Sequence, residues 1–246
     1  MSNLANAIQP EEVEEISSQL QNAPLLDVLR WASERFGEQA AVGTSFQGAG
    51  LVLLHHAFSA GLRLPVFTLD TGLLFPETLA LKARLEAFWG VTIESVLPEL
   101  TLEQQAIEQR DDALWASKPD LCCSIRKVEP LQRRLRTLSV WITGVRREQS
   151  ATRGGAQILE RYLFDPIRET YILKLNPMAY WSRDAVWDYI KANNIPYNPL
   201  HDRGYRSIGC MPCTSASDSS DSERSGRWIG FNKTECGIHT FMGPKT

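Results

Sequence analysis

Short apolar runs alternate with amphipathic stretches along most of the chain, and this alternation leaves few architectures open. Ala40 to Thr44 (AAVGT), the run LPVFTLD, the run VTIESVL and Val140 to Gly144 (VWITG) each read as a strand. Between and before them lie helical patterns. Pro10 opens EEVEEISSQL with acids in its first turn, where they suit the positive end of the helix dipole. LLDVLRWASERF sets Leu25, Leu26, Val28, Leu29 and Phe36 mostly on one face and stops at Gly37. A third helix is predicted from Leu51 to about Ser59, a fourth in ETLALKARLEAFW after Pro76, and a fifth in RKVEPLQRRLR. Strand and helix in turn predict an α/β fold, a mostly parallel twisted sheet covered by helices on both faces. Ligands of such folds sit beyond the carboxyl ends of the strands, which points to Ser45, Asp70 and Gly144.

A chain of 246 residues, 43% hydrophobic and 22% charged, is long enough for one full core. We read residues 1–213 as a globular α/β body with a helical start over 10–37. Residues 214–246 read as a mobile tail, because TSASDSSDSERSG after Cys213 is rich in Ser and Asp and poor in apolar side chains. The formal charge of −3 gives no general bias toward nucleic acid or anionic membrane. The first residues lack the basic-then-apolar pattern of an export signal, and no apolar run approaches the roughly 18 residues of a membrane helix. A cytoplasmic setting is therefore expected, with thiols serving as ligands or nucleophiles rather than as disulfides.

Local charge is more telling than the total. Between Leu121 and Arg153 the balance is +6, from Arg126, Lys127, Arg133, Arg134, Arg136, Arg146, Arg147 and Arg153 against Glu129 and Glu148. Most of a run like this forms a solvated face. Arg146 and Arg147 differ, since they leave a strand at the expected binding edge and suit an anionic ligand. The turn SFQGAG, between a strand and a helix, offers backbone N–H groups to a phosphate, though it is neither a Walker A loop nor GxGxxG. Asp70-Thr71-Gly72 reads equally as a ribose contact or as a capped turn. His55, His56, His201, Trp181, Trp187 and Tyr189 read as packing residues.

The five cysteines divide unevenly. Cys122 and Cys123 are adjacent, Cys210 and Cys213 form a CxxC, and 86 residues separate the pairs. Two pairs of thiolates suit zinc or an iron–sulfur cluster. Structural zinc usually spaces paired thiols by two to four residues, whereas a cubane offers separate irons to neighbouring ligands, so the spacing favours the cluster. Cys236 remains, in a Gly-containing tail with Lys233 before it and His239 after it, both able to favour a thiolate nucleophile.

Taken together, TSFQGAGLVLLH, FTLDTGLLFPET, CCSIRKVEPL, WITGVRREQSATR, KLNPMAYWSRDAVWDYI, YNPLHDRGYRSIGCMPCT and KTECGIH resemble the assimilatory sulfonucleotide reductases. Within them, the chain is similar to the cluster-bearing adenylyl-sulfate (APS) reductases, over about Val42 to His239. The resemblance implies an adenine nucleotide α-hydrolase-like fold of the PP-loop superfamily, one 4Fe-4S cluster on Cys122, Cys123, Cys210 and Cys213, and Cys236 as nucleophile. It implies that Ser45, Phe46, Gln47 and Gly48 hold the nucleotide end of the substrate, with Asp70, Thr71 and Gly144 near ribose and base. Lys127, Arg224 and Arg227 would face the phosphosulfate, and His239 would close over the site with the tail. The loop departs from the Ser-Gly-Gly-x-Asp-Ser pattern of ATP-cleaving relatives at Gln47, Ala49, Gly50 and Leu51, which argues against ATP hydrolysis.

The implied activity is reduction of APS to sulfite and AMP for cysteine biosynthesis, through a sulfonated Cys236 discharged by thioredoxin or a similar dithiol protein. The 3′-phosphorylated substrate PAPS, alone or beside APS, is the nearest alternative. A PP-loop tRNA sulfur-transfer enzyme and a zinc-stabilised binding module are the more distant ones. No nucleic-acid or membrane partner is expected, and a homo-oligomer is left open.

Overall fold

The computed structural model describes residues 9–217, 222–231 and 233–239. The first residues, read above for an export signal, and residues 218–221 of the Ser- and Asp-rich stretch lie outside the described residues.

Two helices precede the sheet, α1 (Pro10–Leu20) and α2 (Leu25–Phe36), and Gly37 at a φ of 53° ends the second. Then come β1 (Ala40–Gly43), α3 (Gly48–Ser59), β2 (Val66–Leu69), α4 (Pro76–Trp89) and β3 (Glu94–Val96). The short helices α5 (Leu102–Gln109), α6 (Leu114–Ser117), α7 (Pro119–Cys123) and α8 (Glu129–Leu135) lead to β4 (Val140–Thr143). A hairpin of β5 (Leu159–Asp165) and β6 (Thr170–Leu175) and a last helix, α9 (Arg183–Ala192), complete the body. Among the described residues no helix is long and apolar enough to cross a membrane.

The six strands run in the order β3-β2-β1-β4-β6-β5. Every pairing is parallel except β5 with β6. The expected mostly parallel α/β sheet is therefore present, with an antiparallel strand at one edge. Side chains alternate across it. Ala40, Val42, Val140 and Ile142 join one large core with α2, α3 and α9, whereas Ala41 and Trp141 join a second core with Leu131 and Leu135 of α8. Helices thus cover both faces, as period-two alternation in buried strands requires.

Four strands are expected from the sequence and six are present. β5 carries Glu160 and Arg161, so it lacks the continuous apolar run that marked β1 and β4. Tertiary pairing makes those charges tolerable: Lys174 of β6, itself buried, meets Glu160 at 2.8 Å, and Arg161 lies over the Tyr171 ring.

Candidate active site

Chain order turns back at β1, which has β2 on one side and β4 on the other. Such a switch point leaves a crevice at the carboxyl ends of the two strands. A cleft opens there, lined from β1 by Thr44 and Ser45 and from β4 by Thr143 and Gly144. Close approach of β4 to α3 depends on glycine, since a Cβ on Gly144 would stand 3.0 Å from Gly50 N and 3.3 Å from Ala49. Phe67, Leu69, Leu131 and Trp141 give one part of the cleft apolar walls, and Lys127, Arg153, Arg224 and Arg227 make another part cationic.

The residues expected at the loop after β1 do different things. Ser45 and Gln47 line the cleft, and Gln47 Oε1 accepts the N–H of Ile208 at 3.1 Å, tying the loop to the chain before Cys210. Phe46 turns into the core at 1% exposure with a φ of 57°, and Thr44 Oγ1 accepts its N–H at 3.0 Å. Gly48 meets α9, where a Cβ would lie 2.9 Å from Val186 Cγ1. Of the next turn, Thr71 lines the cleft, while Asp70 accepts the N–H of Gly72 at 3.0 Å and caps the turn. Arg146 and Arg147 are committed elsewhere. Arg146 is buried against Glu223 at 2.5 Å, and Arg147 donates to Ala156 O at 2.7 Å while covering the Tyr180 ring. Neither arginine is among the residues that line the cleft.

Lys127 reaches the cleft from an irregular helix. Between α7 and α8, residues Ser124–Val128 form a π turn in which the N–H of Glu129 reaches back five residues to Ser124 O. Pro130 explains the loosening: it has no N–H to give to Arg126 and its ring crowds that carbonyl. Arg126 fixes the turn in place by donating to Thr71 O and, at 2.9 Å, to Gln105 Oε1. Lys127 is buried and borders two spaces, the cleft and a smaller cavity behind it.

Cys122, Cys123, Cys210 and Cys213 all line that smaller cavity, and none is in a disulfide. Cys210 borders the cleft as well, with Thr71 Oγ1 at 3.3 Å from its sulfur. Burial and the three neighbouring thiols push the Cys122 thiol up to about 11, and burial raises Cys123 and Cys213 too. Sulfurs crowded this way are reluctant anions unless a cationic group holds them. Among the described residues, no trio of thiol, imidazole or carboxylate groups converges in a way that would hold a single metal ion.

Cys236 stands on the cleft side, buried in one cluster with Cys123, Cys210, Cys213 and Trp228. Burial works against its thiolate, yet Lys127, the N–H of Ile238, Arg224 and Arg227 outweigh it and hold the thiol below its ordinary value. Lys127 responds in kind: burial pulls it down, and the sulfurs of Cys210, Cys236 and Cys123 carry it well above the usual lysine range. Arg224, Arg227 and Lys233 surround the Trp228 indole at 5.3, 4.5 and 5.8 Å from its centroid. Among the described residues no carboxylate pairs with Lys127 or Arg227, and Arg227 Nε is buried without a hydrogen-bond partner. His239 stacks on Trp141, centroids 5.1 Å apart and planes within 5°, and burial holds it neutral, well below the ordinary histidine value.

Part of the predicted mobile tail is thus packed against the body. Next to the thiol, Glu235 pairs with Arg153 and Arg224, both at 3.1 Å, a tie that no sequence pattern pointed to. In the sequence Arg153 is one charge of a basic run. The neighbouring Cys236 was the one available signal.

Residues 39–216 match the profile of the phosphoadenosine phosphosulfate reductase domain family. The chain is 42% identical to adenosine 5′-phosphosulfate reductase of Salinibacter ruber, over 87% of this chain and 82% of that protein. It is 44% identical to the enzyme of the same name in Oceanobacillus iheyensis, over 87% of each. Among solved structures, phosphoadenylyl-sulfate reductase of Candida auris in a phosphate complex superposes with a TM-score of 0.73 at 29% identity, over 85% of this chain and 98% of that one. FMN adenylyltransferase of Candida glabrata, at 12% identity and a TM-score of 0.55 over 95% of this chain and 80% of that one, shares the fold.

Proposed function

This chain belongs to the phosphoadenosine phosphosulfate reductase domain family and is a reductase, and we propose that it converts adenosine 5′-phosphosulfate to sulfite and AMP by way of Cys236. APS reduction agrees with the names of its relatives, and a place in sulfate assimilation is part of this proposal. The observation that carries the mechanism is the position of Cys236 at a cleft whose Lys127 and Arg227 have no carboxylate partner among the described residues.

The substrate is an anion, so attack on its sulfur by a thiolate is opposed by charge unless fixed cations neutralise both partners. Lys127, Arg224 and Arg227 supply that neutralisation, and the apolar walls at Phe67, Leu69 and Trp141 suit an adenine ring. Ser45, Gln47, Thr71 and Gly144 would then flank the ribose and phosphate. The Cys236 thiolate attacks the sulfur of the sulfate group, an S–S bond forms, and the sulfur–oxygen bond to AMP breaks. Cys236 is left as an S-sulfonate. A dithiol protein of the thioredoxin type attacks the Cys236 sulfur, displacing sulfite and forming a mixed disulfide. Its second thiol closes a disulfide on the partner and returns Cys236 reduced, so two electrons pass from the dithiol to the sulfate sulfur. Such a partner, and the reducing chemistry, fit a cytoplasmic setting.

The donor set suits a 4Fe-4S cluster, since four buried thiols, none in a disulfide, border the smaller cavity. Cys122, Cys123, Cys210 and Cys213 would hold it. When bound it supplies a fixed local field beside Lys127, without needing to change redox state because the dithiol provides both electrons. Lys127 borders both spaces, as Cys210 does, and is the cation that the two share.

The deciding experiment is sulfite release with thioredoxin, comparing APS with PAPS in wild type and Cys236→Ser, on anaerobically purified protein whose iron is measured. We expect activity with APS, about four irons per chain, and a variant that keeps its iron and loses turnover. Turnover by Cys236→Ser would overturn the proposed nucleophile, faster turnover with PAPS the proposed substrate, and zinc in place of iron the proposed cluster.

A further inference from the structure

Glu235 immediately precedes Cys236, and its carboxylate is almost fully used. Oε1 accepts from Arg153 Nε at 3.1 Å, Thr152 Oγ1 at 3.1 Å and Ser150 Oγ at 3.3 Å. Oε2 accepts from Arg153 at 3.1 Å and Arg224 at 3.1 Å. The carboxylate side chain is 8% exposed and that of Arg153 is 9% exposed. Arg224 adds a bond to Thr234 O at 3.3 Å, so donors from two segments converge on the residues just before the thiol. Of the other ties of the tail, Arg146 holds Glu223 at 2.5 Å, well before the thiol in the chain, while nearer the thiol Tyr162 donates to Ile238 O at 3.3 Å, His239 stacks on Trp141, and Lys233 pairs with the exposed Asp120.

We propose that Glu235 is the positioning residue that seats the Cys236 thiol, by locking the tail to the loop over residues 150–153 through Arg153 and through the tail's own Arg224. This rests on the reading of Cys236 as the nucleophile. In that reading the thiol must lie beside Lys127 to attack and must leave the cleft to meet a dithiol protein. A buried carboxylate with five donors resists release more than an exposed pair does, because removing one partner strands the other charge. Glu235 therefore sets how much of the time Cys236 faces the substrate. Arg153 and Arg224 line the cleft, so loss of the Glu235 charge frees cations that an anionic substrate can use. Substrate affinity then has no reason to fall with turnover.

The test uses the full chain, purified anaerobically, as wild type, Glu235→Gln and Thr152→Ala. Iodoacetamide is the probe, and modification is read at the peptide carrying Cys236 by mass. Glu235→Gln should alkylate at Cys236 about tenfold faster or more, and its kcat with APS and thioredoxin should drop by a similar factor while KM for APS stays level or falls. Thr152→Ala removes one exposed donor and no charge, and should alkylate about two- to threefold faster. That variant decides the matter if Glu235→Gln does not fold. Unchanged alkylation in both variants, or a rise in KM with kcat unaltered, would overturn the proposal. The alkylation arm needs no turnover, so a chain without reductase activity would sink the functional reading and still report on the Glu235 lock.

Discussion

Replacing Gly144 by alanine puts a methyl group where the end of β4 meets the first turn of α3. The added carbon would stand 3.0 Å from Gly50 N and 3.3 Å from the Ala49 carbonyl carbon and Cβ, against an ordinary contact of 3.4–4 Å. Two of those three atoms are backbone and none can rotate away. The strand end and the helix must therefore separate by several tenths of an ångström. Overpacking of this kind costs about 1–3 kcal/mol. The smaller conformational freedom of unfolded alanine offsets about 0.4–1 kcal/mol of it. At the middle of these ranges the net loss is about 1.3 kcal/mol, which lowers the melting temperature of a chain this size by about 3–5 °C. Gly155→Ala is the matched control, because its added carbon meets nothing within 4 Å. It shares the unfolded-state gain and should melt at the wild-type temperature or slightly above it. Thermal unfolding followed by circular dichroism reads both variants, and titration with AMP reads the cleft, where Gly144→Ala should bind several-fold more weakly. Equal melting temperatures for the two variants, with AMP affinity intact in both, would refute the argument that close β4–α3 approach shapes the site.

Two other predictions are independent of this one. Lys127→Gln should lower kcat/KM for APS by about 10²–10³-fold, the usual scale for removing one preorganised charge-stabilising donor; steady-state sulfite release within about fivefold of wild type would remove Lys127 from that role. Asp165, 2% exposed, would be raised by burial, yet Arg136 at 2.7 Å and Arg168 at 3.0 Å hold its carboxyl below the ordinary value of 3.8. A carboxyl depressed by folding stabilises the native state fully above its unfolded value, and that contribution disappears as pH falls through the folded one. The melting-temperature gap between wild type and Asp165→Asn should accordingly be constant near neutrality and shrink below about pH 4; a gap that persists into acid would contradict this.

How far the sequence foretold the molecule follows from what each feature depends on. β1, β2 and β4 were legible because a strand buried on both faces needs a continuous apolar run, and the ends of β1 and β4 located the cleft before any side chain was placed. β5 and β6 were not, because their charges are tolerable only once Lys174 meets Glu160 and Arg161 meets Tyr171 across the hairpin. The thiol pairs were legible as a set, and they border one cavity, because residue type and spacing alone carried that signal. Orientation was lost at the arginines: a side chain's proximity to a strand end does not say which way it turns, and Arg146 and Arg147 turn to Glu223 and Ala156. Phe46 and Asp70 show the same limit at single residues, one turned into the core by a positive φ and the other spent on capping its own turn. The Glu235–Arg153 pair joins residues 82 positions apart, a contact that no local pattern encodes.

The proposed chemistry passes through the sulfur atom of Cys236. Incubating anaerobically purified protein with APS and no dithiol, then measuring the mass of the peptide that carries Cys236, tests it most directly. One added SO₃ group on that residue, lost with release of sulfite when thioredoxin is supplied, is the expected result. Formation of sulfite with thioredoxin present, while Cys236 never gains that mass in its absence, would contradict the account.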